Sequence, residues 1–117
     1  MKERLLNFLD NGDYSVSCRW TNKRTWGITM HDREEVYLNV HAVLTHILLH
    51  EYLHVEYPRM GEEEVCTRTD RAMQRLSKRA IVEVGERVLT MLEAPRVQWE
   101  PVPRRSSFPG DEGVAVF

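Results

Sequence analysis

The first regular pattern in the chain is helical: in "KERLLNFLD" (2–10), Leu5, Leu6 and Leu9 recur at helical spacing among charged residues, and "DNGD" stops the run. The period then shortens to two. "YSVSCRW" (14–20) and "WGITMH" (26–31) alternate and are rich in strand formers, and the turn-like "TNKRT" between them predicts a hairpin. "DREE" turns the chain again into a third short strand, "VYLNV" (36–40). From His41 to Tyr57, "HAVLTHILLHEYLHVEY" contains neither Gly nor Pro, and Pro58 closes it. Val43, Leu44, Ile47, Leu48, Leu49, Leu53 and Val55 surround nearly the whole of this helix, which predicts a place in the middle of the protein. After "PRMG", a second helical pattern runs from Glu62 toward Glu93, carrying Val65, Ala72, Met73, Leu76, Ile81, Val88 and Leu92, with a bend or break expected near Gly85.

These elements predict an α+β domain over residues 1–93. A small antiparallel three-stranded sheet packs against the 41–57 helix and the long helix that follows, preceded by a short N-terminal helix. The segment 94–117 holds four of the five prolines and no sustained period, so it reads as a tail, with Trp99 and the final "VAVF" as points where it could dock.

Composition narrows the function. A chain of 117 residues, 42% hydrophobic, has room for one core and not for two ordinary domains. Its net charge of −2, with both signs interspersed, offers no large basic surface, so nucleic acid is not expected as a partner. No apolar run approaches the roughly 18 residues of a membrane span. The N-terminus lacks a small-residue cleavage site, so no membrane association is expected and the protein should stay in the cytoplasm. Cys18 and Cys66 form neither a CxxC pair nor a disulfide framework, and read as buried small hydrophobes.

Against this background "LLHEYLHVEYPRMGEEEV" (48–65) stands out. His50 and His54, four apart on a helix, lie on one face and can converge on one ion. Glu51 is rotated by about 100° from His50, so it misses the ion but can reach a water held there. That is the arrangement of a zinc-dependent hydrolase with Glu51 as general base. Burying two imidazoles and a carboxylate without partners would be costly, and a metal would supply those partners.

A catalytic zinc takes a third protein ligand. The position of a third histidine in the HExxHxxGxxH pattern is Met60, and His46 is separated from His54 by about 12 Å of helix rise. His46 is therefore placed beside the ligands rather than among them. The run 62–64 remains. If Val65, Thr69, Ala72, Met73 and Leu76 face inward, Glu62 falls near the centre of that face and Glu63 and Glu64 well away from it. Glu62 is the first choice and Glu63 the second, because first-turn geometry is loose. All three also complement the helix dipole. Tyr57, and His31 or Tyr37 on the strands, are candidates to donate to a developing oxyanion.

On "WGITM", "VYLNV", "LLHEYLH", "YP" and "GEEEV", covering about residues 26 to 73, the chain resembles the minimal zincin metallopeptidases, and in particular small bacterial and phage-encoded ones. The resemblance implies an antiparallel sheet whose edge strand, matched here by "VYLNV", precedes the active-site helix. It also implies Zn2+ bound by His50, His54 and Glu62 or Glu63, with Glu51 as base and a protein or peptide as substrate. The spacing from His54 to the glutamates is much shorter than in large gluzincins. The alternative function is a non-enzymatic module of the same fold that retains zinc for stability or partner binding.

Overall fold

The computed structural model describes residues 1–92, and the tail expected over 94–117 lies outside them. In chain order the elements are helix α1 (Lys2–Asn11), strands β1 (Ser15–Cys18), β2 (Gly27–Met30) and β3 (Glu35–Leu38), and helices α2 (Val40–Glu56), α3 (Glu62–Arg75) and α4 (Lys78–Met91). The α+β class, the three strands and the N-terminal helix follow the hydrophobic pattern.

The sheet differs from expectation in its pairing. Its order is β1-β3-β2. β2 runs antiparallel to β3, with Gly27 opposite Leu38 and Met30 opposite Glu35. β1 runs parallel to β3, with Ser15 opposite Glu35 and Cys18 opposite Leu38. The sheet is therefore mixed rather than antiparallel, the 14–31 hairpin does not form, and "VYLNV" supplies the central strand rather than an edge.

Burial and side-chain hydrogen bonds account for this. Tyr37 on β3 is 7% exposed, whereas every residue of β1 is exposed. The strand with the most to bury takes the centre. The connection 19–26 is a crossover shaped by Asn22, whose Oδ1 accepts the backbone N–H groups of Arg24 and Thr25 at 2.8 and 2.7 Å. Asn39, buried just after β3, fastens that loop across the strand's end. Its side-chain amide donates to the Asn22 carbonyl at 2.9 Å, and its backbone N–H donates to the Trp26 carbonyl at 2.8 Å. The chain is thus carried from one edge of β3 to the other.

α2 ends where Pro58 forbids continuation, and Tyr57 caps it by donating its N–H to the Leu53 carbonyl at 2.8 Å. The expected long helix from Glu62 is two helices, broken at Leu76 and Ser77 and not near Gly85. Leu76 is extended (φ −68°, ψ 137°), and the Ser77 hydroxyl accepts the Ala80 N–H at 3.1 Å, an N-cap that starts α4. Breaking there lets α4 fold back on α2, and Leu76 packs on the core of Ala42, Met73 and Ile81 together with Trp20 and Leu49.

Gly85 has a different use from the one expected. A Cβ at that position would stand 2.7 Å from both Cα and Cβ of His41, so the glycine permits α4 to approach α2 closely. The Thr45 hydroxyl fixes the same crossing by donating to the Ile81 carbonyl at 3.1 Å. α2 is accordingly flanked by α3 and α4, yet Leu48, Tyr52 and Val55 stay exposed, so its apolar girdle is only partly covered. No helix among the described residues is long and apolar enough to cross a membrane.

Candidate metal centre

α2 and α3 run antiparallel, joined by a short turn in which the Met60 N–H donates to the Tyr57 carbonyl at 3.0 Å. Along their shared seam Glu62 of α3 meets His50 and His54 of α2, and Asp70 meets His46, with Cys66 between Glu62 and Asp70 on α3. The phase of α3 is set by Val65, Thr69 and Met73, all buried, and Glu62 lies on the same side of the helix one turn earlier.

At the turn end of the seam the carboxylate of Glu62 spans both imidazoles. Its Oε1 is 2.6 Å from His50 Nε2, its Oε2 is 2.8 Å from His54 Nε2, and the two Nε2 atoms are 3.2 Å apart. All three residues can each offer one ligand atom within 4.8 Å of the others. The exposures are graded: 1% for the His50 side chain, 8% for His54 and 48% for Glu62, so the cluster is buried on the α2 side and open on the α3 side.

This donor set fits zinc. Bonds of about 2.0–2.1 Å at tetrahedral angles hold ligand atoms about 3.3 Å apart, close to the 3.2 Å between the imidazole nitrogens. The shorter separations to Glu62 are those of hydrogen bonds, in which each imidazole donates an Nε2 proton to one carboxylate oxygen. An ion would replace those two protons on the same atoms. Glu62 also sits in the first turn of α3, where the helix dipole favours a carboxylate.

The remaining candidates are distributed as follows. Glu51 follows His50 on α2 and is partly buried. Glu63 and Glu64 are exposed and do not belong to the convergent group, and the Glu64 carboxylate pairs with Arg68 at 3.0 Å. His46 sits at the far end of the seam, with Nε2 3.4 Å from Asp70 Oδ1 and its ring edge-on to Trp26 at 5.1 Å between centroids. Tyr57 is 46% exposed and lies under the guanidinium of Arg68. His31 and Tyr37 are engaged on the sheet, His31 Nδ1 with the Tyr14 hydroxyl at 2.8 Å and Tyr37 with Glu35 and Arg19.

Asp70 was not singled out from the sequence, and Cys66 only as a buried hydrophobe. Cys66 and Asp70 follow Glu62 at intervals of four, the spacing that could have found them. Neither cysteine is the buried hydrophobe expected; both are exposed, Cys18 because it lies on an edge strand and Cys66 because it stands on the open side of α3. The Cys66 Sγ lies 3.8 Å from Glu62 Oε1, and partial burial together with that carboxylate raises the thiol above its ordinary pKa. Near Asp70 a cleft of about 390 Å³ opens among Lys23, Arg24, Trp26, His46, Met73 and Gln74, at the opposite end of the seam from Glu62.

No protein-family model, curated protein or solved structure matches the chain. Function is therefore argued from the site itself.

Proposed function

We propose that the protein is a zinc-dependent peptidase in which His50, His54 and Glu62 hold the ion and Glu51 is the general base. The observation that carries this reading is the convergence of two imidazole nitrogens and one carboxylate, contributed by two separate helices, on a single point. Zinc bound there would supply a water of lowered pKa and a Lewis acid for the scissile carbonyl. Glu51, turned about 100° from His50 around the helix, would fall beside the ligand set rather than in it, and is the residue proposed to hold a proton. The presence of a base favours catalysis, because a purely structural zinc has no use for one. An extended peptide would lie along an open sheet edge. β2 is an edge strand, and Trp26, which immediately precedes it, packs against His46.

The test pairs metal analysis with cleavage. The full-length protein, loaded with zinc, is incubated with a degenerate peptide library and the products are read by mass spectrometry, beside Glu51→Gln. The proposal expects one zinc per chain in both proteins and cleavage only in the wild type. Zinc in both with cleavage in neither would leave a metal-holding module without catalysis. Absence of zinc binding would overturn the proposal altogether.

A further inference from the structure

We infer that the apolar flank of α4 beside Leu48 of α2 is a self-association surface that pairs with the same flank of a second copy of this chain. The inference is independent of the metal centre. Val84, Val88 and Met91 form a stripe along α4 at helical spacing, and with Leu48 of α2 they line a shallow apolar groove bordered by Glu83 and Arg87. Within the groove Met91 is 79% exposed and Leu48 46%. Large side chains contiguous on one face and open to water mark an interaction surface rather than scattered apolar residues.

The charges on the border decide the occupant. Glu83 and Arg87 flank the stripe on one side of α4, one turn apart. They stand in the order that favours an ion pair within a helix, yet among the described residues none links them. When two identical helices pack antiparallel about a twofold axis, the same flank of each meets the other with its order reversed. Glu83 then faces Arg87 of the second copy, and Arg87 faces its Glu83, while the valines meet across the axis. In a parallel twofold pair the two charged flanks would lie on opposite sides of the seam, and the charges would not meet. The surface is therefore complementary to itself in one orientation, the signature of an isologous dimer.

The test is a charge swap on the full-length protein, read by sedimentation equilibrium or light scattering, with circular dichroism to confirm folding. The wild type is expected to dimerise. Glu83→Arg and Arg87→Glu should each weaken the dimer by about tenfold, and the double variant should recover the wild-type affinity. Met91→Glu, at a position too exposed to disturb the core, should give a monomer. A wild type that stays monomeric at high micromolar concentration, as it would if another segment or partner filled the groove, overturns the inference. So does a dimer indifferent to the single swaps, or one that the double swap fails to restore.

Discussion

Replacing Glu62 by glutamine removes one charge and little volume from the candidate metal centre, and so isolates the contribution of the carboxylate. In the native arrangement its two oxygens reach His50 and His54 at 2.6 and 2.8 Å. Structural zinc sites with four protein ligands bind with about 10–16 kcal/mol, which apportions about 2.5–4 kcal/mol to each ligand. At 1.4 kcal/mol per decade, loss of Glu62 should weaken zinc about 10²–10³-fold. Glu63→Gln and Glu64→Gln should change affinity by no more than about twofold, because the Glu64 carboxylate is committed to an exposed pair with Arg68 whose loss costs only about 0.2–0.5 kcal/mol. Competition titration against a chromophoric chelator measures all three variants on one scale, and circular dichroism confirms that α2 and α3 persist. Equal losses in the Glu62 and Glu63 variants, or a Glu62 variant that keeps wild-type affinity, would refute the assignment.

Three further outcomes are expected. Gly85→Ala should destabilise the fold by about 1–2 kcal/mol: the Cβ would meet the backbone of His41 at 2.7 Å, which puts overpacking in the upper part of its range, about 2–3 kcal/mol, and the gain in helix propensity returns about 1; the melting temperature should fall by several degrees in a thermal scan. Zinc affinity should fall as pH is lowered, because protons compete with the ion for the two imidazole nitrogens; an affinity indifferent to pH would exclude histidine ligation. The raised pKa of Cys66 means less thiolate at a given pH, so in the zinc-free protein alkylation should be slower than for a free thiol and should accelerate in Glu62→Gln, as mass spectrometry of the modified peptide would report.

The elements were largely legible because each obeys one local rule. Pro58 ends α2, the period-two segments become β1, β2 and β3, and the apolar phase of Val65, Thr69 and Met73 fixes which way α3 faces. What failed was non-local. Nothing in "YSVSCRW" announces that it lies parallel to a strand placed after the one it precedes, because the deciding contacts come from Asn39 holding the 19–26 loop over the end of β3. Gly85 looked like a breaker and is a contact point, since its reason lies in His41 on another helix. The real break was written in Ser77, an N-cap signal inside a run that otherwise keeps helical composition.

The candidate site divides along the same line. Helical phase alone brings His50 and His54 together and turns Glu62 inward, so the triad could be reasoned from spacing. Phase cannot say how two helices slide past one another, and that sliding decides what each rung of the seam contains. With α2 and α3 antiparallel and Glu62 set between His50 and His54, the next histidine along α2 must meet a residue two turns along α3. That residue is Asp70, 3.4 Å from His46. One register therefore fixes both ends. A shift of a single turn would carry Glu62 away from His54 and bring Cys66 toward the histidines, replacing a carboxylate with a thiol. The 57–61 turn, whose length sets that register, is thus as much a determinant of the site as the residues that point into it.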